Sequence, residues 1–232
     1  MKGGSILGFE IINKATNEVF ISRTIINSFI VVILLSIFVF YVNSKLKKAD
    51  PHKKPTGILN IIEILVGSLN NLVNTTMGYK FKSFAPYIGT LAMYLAVSNL
   101  FGLLGFKPPT ADYSVPFSLA ILTFILTQYH GVKSKGLGGY IKGFLEPVWF
   151  LFPLNVIGEI ANPVSLSFRL FGNIISGVII MTLIYGALGA ITPIIVPVIA
   201  PVFHSYFDIF AGLIQTFIFM MLTMVFISMA TD

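Results

Sequence analysis

The sequence predicts an all-α integral membrane protein, with about five transmembrane helices and one amphipathic helix at the membrane interface. Of its 232 residues, 56% are hydrophobic and 10% are charged, whereas about a quarter of the residues in soluble domains are charged. The mean hydropathy is +0.89. The apolar residues are grouped into runs of about 20, which is the length that a helix needs to cross the hydrocarbon core of a bilayer.

The composition also excludes several kinds of chemistry. The chain has no cysteine, so disulfides, thiol chemistry and cysteine-based metal sites are ruled out. The net charge is +6, but the lysines lie in loops between apolar runs and are not interleaved with aromatic residues, as they are on nucleic-acid-binding surfaces. We therefore expect the lipid bilayer, and not nucleic acid, as the partner of the basic residues, and we predict neither a cofactor nor a metal centre.

The apolar runs predict one membrane domain covering residues 1–232, without a soluble domain or an internal repeat. The predicted spans cover residues 24–42, 84–104, 115–129, 146–190 and 198–230. The second and third spans form a hairpin across the loop "GFKPPTADYS", whose prolines break helices. The segment "TPIIVP" at residues 192–197 turns the chain between the two long final runs.

Residues 57–77 predict a different kind of helix. Apolar residues recur at helical spacing, at Ile58, Ile61, Ile62, Leu65, Leu69, Leu72 and Val73. Polar residues are interspersed among them, at Asn60, Glu63, Asn70, Asn71 and Asn74. A helix with one apolar and one polar face suits the boundary between headgroups and acyl chains. We therefore expect this helix to lie at the interface and not to cross the bilayer.

The distribution of lysines predicts the orientation, because positively charged loops stay on the cytoplasmic side. With residues 57–77 at the interface, five crossings place most of them on one side: Lys45, Lys47, Lys48, Lys53, Lys54, Lys80, Lys82, Lys133, Lys135 and Lys142. The other side receives Lys2, Lys14, Arg23 and Lys107. We expect the N-terminus outside and the C-terminus in the cytoplasm. The first residues resemble neither a signal nor a transit peptide, which favours a bacterial plasma membrane.

Polar residues follow one face of each of the two long C-terminal runs. In the first run they recur with gaps of three or four, within an arc of about 120° at 100° per residue, at Asn155, Glu159, Asn162, Ser165, Arg169, Asn173 and Ser176. The last run carries a second stripe, formed by His204, Asp208, Gly212 and Gln215. Because lipid cannot satisfy such groups, the two stripes are expected to pack against each other.

Arg169 lies in the middle of the first stripe, where a charge costs about 2.5–3.5 kcal/mol on insertion scales. Glu159 lies about 15 Å to the inside of it along the helix. Asp208 and His204 lie about 10 Å and 16 Å to the outside of Gln215. If Gln215 is level with Arg169, ionisable groups approach the arginine from opposite sides. A permanently protonated guanidinium between two half-pathways would block a cation leak and attract a carboxylate from a partner.

The residues around Arg169, "NPVSLSFRLFGNIISG", resemble the signature of the a subunit of rotary F-type (FoF1) ATP synthases, the ATPase A chain family. The segments "FDIFAGLIQTFIFMMLTMVFISMA", "SNLFGLLGFKPPTADYSVPFSLA" and "KSKGLGGYIK" resemble the same family. The resemblance covers most of the chain from about Lys54 onward. It implies a stator beside a ring of c subunits, in which H⁺ or Na⁺ enters one half-channel, neutralises a ring carboxylate, rides the ring and leaves through the other half-channel. Ion flow is thereby coupled to rotation and ATP synthesis.

The resemblance also implies roles and partners. Arg169 matches the arginine that prevents short-circuiting and displaces the ion from the ring carboxylate, and Asn173 and Gln215 match polar positions facing the ring. Many relatives have an acid where this chain has Val178, and a histidine where it has Asp208. We therefore assign the outer titratable group to Asp208, with His204 one turn away. The implied partners are the c-ring, the b-subunit peripheral stalk and the rest of FoF1, and the subunit itself is not catalytic.

Plainer interpretations remain for each residue. Arg169 and Glu159 could form a structural ion pair, and Asp208 and His204 could pair only with each other. Asn173 and Gln215 could be hydrogen-bonding contacts between helices. The remaining polar residues of the stripe are more typical of packing or wetting: Asn155, Asn162, Ser165 and Ser176.

Two other classes of protein are alternatives for the whole chain. The first is a self-contained ion channel or secondary transporter, with Arg169 in its substrate site. The second is an intramembrane enzyme, but the chain lacks HExxH, GxGD and a GxSG-like nucleophile site.

Overall fold

The protein is a bundle of long helices. The computed structural model describes residues 11–12, 19–21, 23–50, 57–146, 148–191 and 196–231. The helices are α1 (Arg23–Leu46), α2 (Ile58–Met77), α3 (Ala85–Leu100), α4 (Ser114–Leu145), α5 (Phe152–Ile191), α6 (Val196–His204) and α7 (Gly212–Thr231). A short antiparallel ladder pairs β1 (Ile11–Ile12) with β2 (Val19–Ile21) before the first helix.

Six helical stretches within the described residues are long and apolar enough to cross a membrane. The prediction of an all-α integral membrane protein is therefore confirmed. One of the six is α2, which meets the requirement by length and composition. Its first turns leave large apolar side chains exposed, among them Ile61 and Leu65, while Val73 and Met77 near its end are buried. Its position at the interface remains a prediction.

Helix α7 lies at the centre of the bundle and packs on two apolar clusters. On one side its Met220, Met224 and Ile227 meet Val73 and Met77 of α2 and the start of α3. On the other side Phe219 meets a cluster of buried residues from α3, α4 and α5, formed by Leu91, Leu95, Ala120, Leu166 and Leu170. Helix α7 contacts α5 through this second cluster. The polar residues that precede α7 along the chain are therefore held beside the outer half of α5.

Helix α4 is longer than the sequence predicts. The expected span ends at residue 129 and is followed by a basic loop, but the structure continues as helix to Leu145. The loop prediction was wrong because lysine is a good helix former and its exposed side chains do not oppose a helix. Only Gly136 interrupts the helix, with φ 70° and ψ 160°, a backbone conformation that favours glycine. We call residues 137–145, which follow this glycine, the hinged segment.

The two C-terminal runs also differ in detail from their predicted bounds. Helix α5 begins at Phe152 and not at residue 146, after a 3₁₀ turn at Trp149–Leu151, and it contains Pro163. Helix α6 continues through a π-helical segment, Ser205–Ala211, directly into α7. Several sequence predictions lie outside the described residues: those on Lys2, Lys14, Lys53 and Lys54, and on residues 192–195 of the predicted turn.

Asn99 fixes α3 to α7 inside the bundle. Its side chain is 2% exposed, and its amide nitrogen donates to the carbonyl oxygen of Gly212 at 3.0 Å and to Oγ1 of Thr216 at 3.1 Å. Its amide oxygen accepts from the hydroxyl of Thr110 at 2.9 Å. The helices can approach this closely because residue 212 is a glycine: a Cβ there would lie 3.2 Å from the Cβ of Asn99.

We expect Asn99→Leu to lower the free energy of unfolding by about 1–2 kcal/mol, because interhelical hydrogen bonds in membranes have about this magnitude. Equilibrium unfolding of the purified subunit in mixed detergent micelles measures the change. Asn70→Leu is the matched control, since Asn70 is an exposed asparagine of α2. Equal stability of the two variants would contradict the role of Asn99.

Candidate ion-translocation site

Arg169 is presented at the surface of the bundle. It lies in the middle of α5, its side chain is exposed, and it forms no hydrogen bond or ion pair with any residue that the structure describes. The ion pair with Glu159 that the sequence leaves open is therefore absent from the described contacts. An exposed guanidinium at mid-helix is costly in lipid, so a partner or water must meet it.

One cavity, of about 540 Å³, lies on the Glu159 side of Arg169. We call it the inner cavity, after the predicted orientation. Helix α5 contributes Asn155, Glu159 and Asn162 to its lining, and α4 contributes Lys135 and Tyr140. The Glu159 carboxylate accepts a hydrogen bond of 2.8 Å from the amide nitrogen of Gln128. The amide oxygen of Gln128 in turn accepts from the hydroxyl of Tyr140. The acid is thus held by α4, and not by the arginine.

A second cavity, of about 340 Å³, lies on the other side of Arg169, and we call it the outer cavity. His204 and Asp208 line it together with Tyr185 and Lys107. Nδ1 of His204 lies 2.5 Å from Oδ2 of Asp208, and Nε2 lies 2.6 Å from the hydroxyl oxygen of Tyr185. An ionised carboxylate only accepts, so Nδ1 donates to Asp208, and the direction of the bond between Nε2 and the hydroxyl of Tyr185 depends on the protonation state of the ring. The three side chains form one hydrogen-bonded chain.

The π-helical segment Ser205–Ala211 sets the position of Asp208. A π-helical turn contains an extra residue relative to an α-helical turn and is frequent at functional sites. The carbonyl oxygen of Ala211, at the end of this segment, accepts a hydrogen bond of 3.4 Å from the side-chain amide of Asn173. The 3₁₀ turn Phe101–Leu104 that follows α3 also lies beside this acid, since a Cβ at Gly102 would be 3.7 Å from Cγ of Asp208, an ordinary van der Waals distance. The acid therefore lies at the meeting point of three elements.

The remaining predicted residues divide among different surroundings. Gln215 is 4% exposed, and its amide nitrogen is a buried donor without a partner among the described residues. Among the described residues, no hydrogen bond joins Gln215 to Arg169. Ser165 is exposed, and the exposed hydroxyl of Ser176 donates to the carbonyl of Asn173. The amide of Asn155 donates to two backbone carbonyl oxygens, those of Phe144 and Glu146.

Sequence reasoning missed Gln128, Tyr140, Tyr185 and Lys107. Tyr185 had a signal that could have identified it. Val178, Thr182 and Tyr185 have gaps of four and three, and all three line the outer cavity. The sequence carries no such signal for Gln128 and Tyr140. These residues reach Glu159 through the contact between α4 and α5, which the spacing of residues within one helix does not reveal.

The fold and this arrangement define a class of protein. Along α5, Arg169 separates the residues of the inner cavity from those of the outer cavity, and each cavity is lined by one acid, Glu159 or Asp208. In a helical membrane protein, this pattern is typical of subunits that translocate ions. The family model described as ATP synthase A chain matches residues 25–228. The chain belongs to the ATP synthase A chain family, and it is a non-catalytic, ion-translocating component of the FoF1 complex.

Curated relatives agree with the family. Over 240 residues the chain is 36% identical to an ATP synthase subunit a of Lysinibacillus sphaericus. This match covers 96% of this chain and 93% of the relative. It is 38% identical over 193 residues to ATP synthase subunit a of Priestia megaterium, covering 75% and 79% of the two chains. It is 35% identical over 223 residues to the protein named ATP synthase subunit a, sodium ion specific, of Propionigenium modestum, covering 89% and 73%.

Because the chain has no cysteine, single cysteines can test whether water reaches the two cavities from opposite faces. We expect Thr182→Cys in the outer cavity to react with a membrane-impermeant thiol reagent added outside, and Asn162→Cys to react with the same reagent added inside. The reason is that the reactive thiolate forms where water is present. Labelling of membrane vesicles of both orientations measures the rates.

Ile125→Cys is the control, because Ile125 lies on the exposed apolar surface of α4 and should be unreactive from either face. Labelling of the two cavity positions from the same face would contradict the arrangement.

Proposed function

We propose that the protein is the stator against which a ring of c subunits turns, and that its two cavities are offset half-channels for the coupling ion. The observation that carries the proposal is that Arg169 is exposed between two separate cavities and has no hydrogen-bond or ion-pair partner among the described residues. A guanidinium that lacks an acid of its own fits a carboxylate presented by a moving neighbour. Charge-assisted pairing of this kind is strong where water is scarce.

The proposed ion route uses the residues of the two stripes. Tyr185, His204 and Asp208 form the outer half-channel, with Asn173 at its inner end, and Glu159 lies in the inner half-channel with Asn155 and Asn162. Ser165 and Ser176 lie on the exposed surface of α5 near Arg169, where they would contact the ring. The amide nitrogen of buried Gln215 has no partner among the described residues, and it would serve the ion route from inside the bundle, seven residues after Asp208.

Arg169 would keep the half-channels electrically separate. A permanent cation repels a cation that moves along the stripe, and it attracts the ring carboxylate after that carboxylate has lost its ion. The two cavities share no lining residue. This supports a divided path, and it disfavours the alternative of a self-contained channel or transporter, which needs a site reachable from both sides.

The coupling ion would be H⁺ or Na⁺. The relative from Propionigenium modestum is named as sodium ion specific. In this chain the hydrogen-bonded sequence of hydroxyl, imidazole and carboxylate favours H⁺, because imidazole is the side chain whose protonation changes most readily near neutral pH.

The proposal includes the surroundings of the subunit. We infer a bacterial plasma membrane, because the curated relatives named above come from bacteria. The bias of the lysines places the N-terminus outside and the C-terminus in the cytoplasm. Residues 1–232 would form one membrane domain, in which α2 lies at the interface. Besides the c-ring, the b-subunit peripheral stalk would bind this subunit and prevent its rotation.

Arg169→Ala tests the central claim. We expect ATP synthesis driven by an ion gradient to fall by at least about 100-fold, because the loss of several kcal/mol of charge stabilisation corresponds to two or more orders of magnitude in rate. The complex should still assemble, since the exposed side chain forms no hydrogen bond or ion pair within the described part of the subunit. Synthesis by purified complexes in proteoliposomes is the measurement.

Ser165→Ala, four residues earlier on the same exposed surface, is the matched control and should retain most of the activity. Near-normal synthesis in the Arg169 variant would refute the proposed role. Ion conduction by the subunit alone in liposomes, without the ring, would favour the self-contained channel.

Asp208→Asn and Glu159→Gln should impair ion access from opposite sides. Each change removes a titratable group from one cavity and leaves the other cavity intact. We expect the first variant to need a higher ion concentration outside, and the second to need a higher concentration inside, for half-maximal flux. Flux through the membrane sector, measured with each face varied separately, provides the comparison. Equal effects on both faces would contradict the assignment of the cavities.

A further inference from the structure

We propose that Tyr140 is a positioning residue for Glu159, and that it acts through Gln128. The inference rests on the proposed function, because it concerns how the inner half-channel holds its acid. Tyr140 belongs to the hinged segment, which is helical although the sequence predicts a loop there.

Three side chains connect the hinged segment to α5. The hydroxyl of Tyr140 donates to the amide oxygen of Gln128. The amide nitrogen of Gln128 donates to Oε1 of Glu159 at 2.8 Å. All three residues are partly buried, so these hydrogen bonds are shielded from competition with bulk water. Tyr140 and Glu159 also line the inner cavity, where an ion leaving or reaching the ring would pass.

The chain of hydrogen bonds fixes the orientation of an amide that could otherwise face Glu159 in two ways. An amide oxygen only accepts, so the hydroxyl of Tyr140 holds it on the side away from Glu159. The amide N–H is then directed at the carboxyl group, and a donor in this position stabilises the ionised form. Without the hydroxyl, the amide can rotate and present its oxygen, which suits only the protonated acid. Tyr140 thereby keeps the donor side of the amide directed at Glu159.

The fold delivers the tyrosine ring to this position by a close approach. A Cβ at Gly131 would lie 2.8 Å from Cε2 of Tyr140, so only a glycine at residue 131 leaves room for the ring. Gly136, with its positive φ, turns the chain back. At the far end of the hinged segment, Asn155 of α5 donates to the carbonyl oxygens of Phe144 and Glu146. The segment is thus fixed at both ends, with its tyrosine directed at Gln128.

Few other charged groups face Glu159. From α4, Lys135 and Tyr140 line the same cavity, and α7 contributes Phe226, Met229 and Ala230, none of which titrates. Lys142 and Glu146 are 4.0 Å apart, with side chains 76% and 66% exposed, so solvent screens this pair. The hydrogen bond from Gln128 is therefore the specific contact that Tyr140→Phe would disturb.

The test uses the complete complex after removal of its catalytic sector, in inverted membrane vesicles. A potassium diffusion potential is imposed, and its decay through the membrane sector is followed with a voltage-sensitive dye while the pH at the cytoplasmic face is varied. We expect Tyr140→Phe to move the midpoint of this pH profile upward by about 0.5–1 unit, since one unit corresponds to about 1.4 kcal/mol between protonation states. The profile against pH at the opposite face should not change.

Tyr129→Phe is the matched control, because Tyr129 is an exposed tyrosine of the same helix. Gly131→Ala provides an independent variant that leaves every polar group in place but displaces the ring, and it should shift the profile in the same direction. In a Glu159→Gln background, Tyr140→Phe should have no further effect. A merely structural role would lower flux at every pH without moving the midpoint.

The outcomes separate this inference from the proposed function. If Glu159→Gln leaves the cytoplasmic profile unchanged, the proposed inner half-channel is wrong, and the inference fails with it. If Glu159→Gln changes the profile and Tyr140→Phe matches Tyr129→Phe, only the role of Tyr140 is refuted.

Discussion

The inability of lipid to satisfy a charged or polar side chain is the constraint on which the arrangement of this protein depends. Within the bilayer each such group must be met by protein, by water or by a partner. Glu159 is met by Gln128, and Asp208 is met by His204. Arg169 is met by nothing that the structure describes, although it belongs to the same polar face of α5. The polar groups of the two long helices therefore fall into two kinds. Glu159 and Asp208 belong to sites within the subunit, whereas Arg169 is exposed and can meet an acid of a partner.

The sequence revealed those features that depend on one helix. Spacing along α5 and along the last run predicts that His204 and Asp208 share a face, and that Glu159 and Arg169 are separated by several turns. Composition alone predicts the membrane bundle, and the residues around Arg169 carry the family resemblance. These properties follow from the 3.6-residue period and from apolar run length, which can be counted without knowledge of the neighbours.

The features that depend on contacts between helices could not be predicted. The placement of the hinged segment against α5 depends on Gly131, which admits the ring of Tyr140, and on Asn155, which holds the end of that segment. Asn99 appears in the sequence as one more polar residue in an apolar run, yet it joins three elements. Tyr185 reaches His204 from another helix. Each of these contacts joins residues whose proximity is produced by packing.

Val178 and Asp208 lie on different helices but border the same cavity. The family resemblance implies that many relatives have an acid at the position of Val178. A carboxyl group attached to either backbone would reach the same small volume of water, so its helix of origin has little bearing on what an ion encounters.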